Sequence, residues 1–181
     1  MTIRRRLIAA VALVSALLLV WRPPVAVADP AFEVEQKLDM TGMAADPTNG
    51  VYWAIAARNT PELVALRPDG TEAGRLSFGE QVSGLGALVW RNGVLYAGDF
   101  GADGSQESIS VFRFAQPGFA EMEPRVWRFT FPDGPQEATT LMVSPKGIVY
   151  FVTRGEKPGI YRSPSQPQVG VDNPLQRVAD A

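Results

Sequence analysis

Between Ser83 and Gly134 the chain places four apolar runs between turns: SGLGALVW, VLYAGDF, SISVFRF over 108–114 and RVWRFTF over 125–131. Each has the length of a β-strand. The Asn92-Gly93 dipeptide between the first two is a strong short hairpin signal, because both residues accept the positive φ of a tight turn. The pattern predicts four consecutive antiparallel strands forming one sheet.

The same order of runs and turns occurs on either side of this unit. Upstream stand MTGMAADPTNG, VYWAIAA, ELVALRPDG and TEAGRLSFG; downstream stand ATTLMVSPKG, IVYFVTRG, GIYRSPS and LQRVADA. The three copies align on the glycine that closes the first hairpin, Gly50, Gly93 and Gly147, at intervals of 43 and 54 residues. A β-branched residue follows each glycine directly (Val51, Val94, Ile148), and an aromatic residue lies three positions on (Trp53, Tyr96, Tyr150). Intervals of this size match propeller blades, whose repeat is a four-stranded antiparallel sheet.

The second run of each copy is apolar at nearly every position, which implies burial on both faces; an outer sheet of a sandwich has one wet face and alternates. The expectation is therefore an all-β fold of four-stranded antiparallel repeats in a partial, about three-bladed propeller-like architecture, with a β-sandwich as the alternative. Trp53, Tyr96 and Tyr150 are expected to fill the space between blades.

The first 28 residues have the pattern of an export leader. Arg4, Arg5 and Arg6 precede the apolar Leu7–Trp21, and Pro23-Pro24 and the small-x-small signal Ala26-Val27-Ala28 follow. The apolar run is shorter than the ~20 residues of a membrane span. Cleavage after Ala28 is expected to leave a single domain, 29–181, secreted or held in the cell envelope and without a stable membrane span. That domain opens with FEVEQKLDM, an alternating strand suited to an edge. Three blades and one leading strand make an open arc, so self-association is expected.

Charge and two missing residue types then narrow the chemistry. The leader takes four of the 17 basic residues and none of the 19 acidic ones, so the net charge moves from −2 to −6. Such a surface argues against nucleic acid as a partner and leaves a protein or another cell-envelope component. The chain has no His and no Cys. That excludes a Ser-His-Asp triad, thiol catalysis, disulfides and His- or thiolate-ligated metal.

In an antiparallel meander alternate connections emerge at alternate ends. The loops after each second strand, together with the links between repeats, therefore share one end. This candidate binding face collects Asp99, Asp103, Glu107, Asp133, Glu137 and Arg154, with Arg58 beside them. The Gly98–Ser108 loop, GDFGADGSQES, supplies carboxylates on a flexible backbone of the kind that calcium uses, with Asp99 and Asp103 as candidate ligands, although it lacks the EF-hand spacing. Asp99 with Glu137, or Asp99 with Asp133, are candidate acid–base pairs. No other cofactor is expected.

The segments LYAGDFGADG, SVFRF, FPDGPQEATTLMVSPKGIVYFVT and GIYR resemble secreted bacterial β-propellers of the broad esterase-like and WD- or NHL-like class, over about residues 40–164. The resemblance implies an acidic cluster lining one mouth of the propeller. Here Asp99 and Asp133 match that cluster, Ala102 replaces one Asp, Asp103 stands in for Asn, Glu137 replaces another Asp, and Thr139 takes the place of a Glu. Two functions follow as expectations: an exported non-enzymatic binding or scaffold module working through one loop face, and, as the alternative, a metal-dependent esterase- or phosphodiesterase-like hydrolase using loop carboxylates.

Overall fold

The structure, a computed structural model, describes residues 38, 40–102 and 107–181. The expected leader, most of the FEVEQKLDM strand and Asp103 lie outside the described residues. Within them the chain forms thirteen strands and no helix. β1 (Met43–Asp46), β2 (Val51–Ile55), β3 (Glu62–Leu66) and β4 (Glu72–Ser77) make the first sheet in sequence order. β5 (Leu85–Arg91), β6 (Val94–Asp99), β7 (Ser108–Ala115) and β8 (Arg125–Thr130) make the second; β9 (Glu137–Val143), β10 (Val149–Arg154), β11 (Gly159–Arg162) and β13 (Gln176–Asp180) make the third. Every neighbouring pair in these three meanders is antiparallel.

The repeat read from the sequence is therefore the repeat of the fold. The glycines that align the copies turn the first hairpin of each sheet with φ of 65°, 76° and 77°, a region that side chains with a Cβ avoid. In the first hairpin Asp46 fixes the turn by accepting from the amides of Thr48 (2.9 Å) and Asn49 (3.1 Å). The same buried carboxylate accepts from the indole Nε1 of Trp53 at 3.1 Å, so the turn and the core aromatic hold one another.

The sheets stack in chain order, with the leading strands β1, β5 and β9 at the junctions between them. Alternate residues of each strand point to opposite faces, and the two interfaces have separate cores. Trp53, Ile55, Leu63 and Leu76 of the first sheet meet Leu88, Leu95, Phe112 and Phe114 of the second. Phe78, on the connecting link, sits 5.0 Å from Phe112 and 5.2 Å from Phe114. On the other face of the second sheet, Tyr96, Val111, Trp127 and Phe129 meet Leu141, Val149, Phe151 and Tyr161 of the third. None of the three sheets closes into a barrel. The result is an all-β stack of three antiparallel-rich sheets, an arrangement consistent with a partial propeller and with a sandwich-like fold.

One expectation about the core needs correction. Trp53 and Tyr96 are buried, at 0% and 5% exposure, but the equivalent Tyr150 is only half-buried. All three project from the face that points towards the following sheet. For Trp53 that sheet is the second and for Tyr96 the third; no sheet among the described residues covers Tyr150.

A second feature is absent from the repeat pattern. The short β12 (Asp172–Pro174) leaves the third sheet and pairs in parallel with β8 of the second. Asn173 secures it: Nδ2 donates to the carbonyls of Arg128, Gln168 and Val171 at 3.0–3.1 Å, and Oδ1 accepts from the amide of Gln168 at 2.8 Å. The free edge of β4 is similarly met by a parallel bridge from Ser77 to Glu121 and by the amide of Met122 donating to the Ser77 carbonyl at 2.8 Å. Covering edge strands removes open templates for pairing with other chains.

Candidate binding cleft

At the loop end expected to carry function, segments of all three sheets enclose a cleft of about 230 Å3. The first sheet contributes Thr41 and Arg58, the second Phe100 and Gly101, and the third Glu137, Thr139 and Arg154. Backbone hydrogen bonds fix the relative placement of the first two. The amide of Leu85 donates to the carbonyl of Arg58 at 2.7 Å across the two sheets, and within the second sheet that of Phe100 donates to the carbonyl of Gly84 at 3.0 Å.

Asp99 is the anchor of this corner. It ends β6 with 7% exposure, and its side chain turns inwards under the link that enters β5. One oxygen accepts from the amides of Gly84 (2.7 Å) and Gly101 (3.1 Å), and the other from the amide of Ser83 (2.8 Å). The Ser83 hydroxyl adds a contact at 3.2 Å. Bonds from amides to a carboxylate are among the stronger uncharged-donor bonds in proteins. The chains come so close here that a Cβ on Gly84 would lie 2.2 Å from the carbonyl oxygen of Gly101, so this position requires glycine.

Glu137 opens β9 and Arg154 ends β10, and the two are Cα partners in that ladder. Their side chains form an ion pair. The hydrogen bond from Arg154 holds the Glu137 carboxyl below its ordinary pKa, and the same bond raises that of Arg154. Glu137 is thus ionised at neutral pH and has no proton to give as a general acid. Arg58 is exposed at the rim, and its Nη2 donates to the Gly101 carbonyl at 3.4 Å.

Asp133 is drawn elsewhere. Its Oδ2 accepts from the Tyr161 hydroxyl at 2.8 Å and from Arg177 Nη1 at 3.0 Å. Arg177 also lies over the Tyr161 ring, 5.6 Å from its centroid, and donates to Asp180 and to the Pro158 carbonyl. Burial works to raise the Asp133 carboxyl, but the bonds from Tyr161 and Arg177 outweigh it and the pKa falls below its ordinary value. Burial, then the neighbouring Asp133, push the Tyr161 hydroxyl up. This network joins the link after β8 to β11 and β13, across the second interface.

Neither a family model nor a curated protein matches this chain. The site therefore rests on its geometry.

That geometry joins Glu137 and Arg154 of the expected binding face in an ion pair and gives Asp99, Asp133 and Glu107 other surroundings. Asp99 faces backbone amides, Asp133 faces Tyr161 and Arg177, and Glu107 is exposed. Of the candidate acid–base residues Glu137 lines the cleft, while Asp99 and Asp133 do not. Among the described residues no group of three or more acidic side chains is placed to hold a metal ion. Arg58 and Thr41, which complete the cleft, carry no local sequence signal beyond the position of Arg58 in a loop at this end. What the cleft offers is cationic: two guanidinium groups to one carboxylate on a chain that is acidic as a whole.

Proposed function

We propose that the chain is an exported binding module that docks a protein or another envelope component on the loop end of its three sheets. The observation carrying this reading is the cleft itself. At about 230 Å3 it is smaller than the roughly 300–1,000 Å3 pockets that enclose whole ligands. A site of that size holds one group of a larger partner. It is built from segments of three packed sheets, a scaffold of the kind on which loops carry recognition. The leader pattern of residues 1–28 and the resemblance of about residues 40–164 to secreted β-propellers support the location and the mode.

The test compares the exported chain with an Arg58→Ala, Arg154→Ala double variant for retention of envelope proteins, alongside hydrolysis of ester and phosphoester probes with calcium, magnesium or manganese. Retention lost in the variant, with no hydrolysis by either protein, is the expected result. Metal-dependent hydrolysis by the unaltered chain would replace this reading with the hydrolase.

A further inference from the structure

Resting on the binding reading above, we infer that the cleft recognises a single carboxylate presented by a larger molecule, with Arg58 as its main partner and Arg154 as a second donor that Glu137 holds in check. Arg58 is the available cation. The one hydrogen bond of its side chain among the described residues is the 3.4 Å contact with the Gly101 carbonyl, at the outer limit of such bonds. The remaining N–H groups of its planar fork match the two oxygens of a carboxylate. Arg154 stands across the cleft with 70% of its side chain exposed, one arm engaged by Glu137.

The walls select among anions. Two guanidinium groups against one carboxylate leave a single positive charge, which one monoanion neutralises. The Thr41 hydroxyl donates to the Leu85 carbonyl and the Thr139 hydroxyl to the Val152 carbonyl, both at 3.3 Å. Each has only lone pairs left to present. A phosphate dianion would meet those lone pairs and the Glu137 carboxylate with surplus charge, whereas a carboxylate takes the arginine side and leaves the threonines for a neighbouring N–H. The floor is the buried Phe100 ring, edge-on to Phe151 at 6.3 Å, an apolar seat for the carbon next to the carboxylate.

The source of the carboxylate is left to the experiment. The exported chain is titrated with acetate, with a capped tripeptide containing Glu, with a peptide ending in a free carboxylate and with the capped Gln peptide as control, while the Arg58 and Arg154 side-chain N–H signals are followed by NMR. Saturable shifts with one or more carboxylate probes and none with the Gln peptide are expected. The pattern among the three probes tells a free acid, an acidic side chain and a chain terminus apart. Arg58→Ala should weaken binding by about tenfold. Glu137→Gln should tighten it several-fold by releasing Arg154, the opposite of what a merely structural role for Glu137 predicts. No response to any carboxylate, an equal response to the Gln peptide, or weaker binding in Glu137→Gln overturns the inference. Should envelope proteins still be retained through Arg58 while every carboxylate fails, the binding reading stands and only the ligand class falls.

Discussion

Trp53 and Tyr150 occupy the same place in two copies of one repeat, yet the first is sealed in the core and the second is half open to solvent. Their local settings are alike, since each is the third residue after a hairpin glycine and sits on the second strand of its sheet. Their surroundings differ in one respect, the presence of a following sheet. The contrast extends across the whole face. On the third sheet Tyr150 is flanked in register by Met142, itself 42% exposed, and by Arg162, with the half-buried Val152 and Ile160 alongside. Strand pattern thus determines which way a side chain points, and the neighbouring layer determines whether it is buried.

Removing the sealed residue should have the largest effect. Trp53→Ala leaves a void between the first two sheets and strips Asp46 of its indole donor, and should cost about 3–5 kcal/mol in urea unfolding. A loss below about 1 kcal/mol would mean that the two aromatic positions are energetically equal and that the contrast is false.

Asp99→Asn tests the same interface without touching its apolar core. The amide substitute keeps one acceptor oxygen and turns an N–H group towards the amides that the carboxylate now serves. The expected destabilisation is about 2–3 kcal/mol, with faster hydrogen exchange at Ser83, Gly84 and Gly101. Unchanged exchange at those three amides would refute the anchoring role.

Tyr150→Ala, on the open face, should cost no more than about 1 kcal/mol. A penalty approaching that of Trp53→Ala would show that something covers the third sheet in solution, which a parallel light-scattering measurement would detect as a larger assembly.

The smallest effect is electrostatic. Because the folded pKa of Asp133 lies below its unfolded value, its contribution is fully present above about pH 4 and is lost as pH falls through the folded value. With over a third of its side chain exposed, solvent screens the pair, so the contribution should stay below about 1 kcal/mol. The stability gap between the unaltered chain and Asp133→Asn, measured from pH 7 to pH 2, should close at the acid end. A gap that widens there would reverse the assignment.

Much of the fold was legible because its signals are local. A hairpin glycine, a β-branched residue and an aromatic at fixed spacing report the backbone of each second strand directly. The loop end that carries the cleft followed from meander geometry alone. What escaped is non-local or side-chain driven. β12 is three residues, Asp-Asn-Pro, with no apolar pattern, and its pairing depends on the reach of the Asn173 amide. Asp99 reads as an exposed loop ligand in GDFG, but as the last residue of β6 its side chain turns towards three amides that come from the far side of the chain and from its own turn. Arg58 is separated from Glu137 by nearly half the sequence, so only the stacking of sheets reveals that they share a cleft.

The path of β12 bears on the order in which the molecule assembles. The chain passes from β11 to the edge of the second sheet before it returns as β13, so the last strand of the third sheet forms beside β11 only after a detour through its neighbour. Folding of the third sheet is therefore coupled to that of the second through a contact distant in sequence, the kind that forms late and slowly. The second and third sheets should open and close as one cooperative unit, while the first, which lends no strand to another sheet, can open by itself.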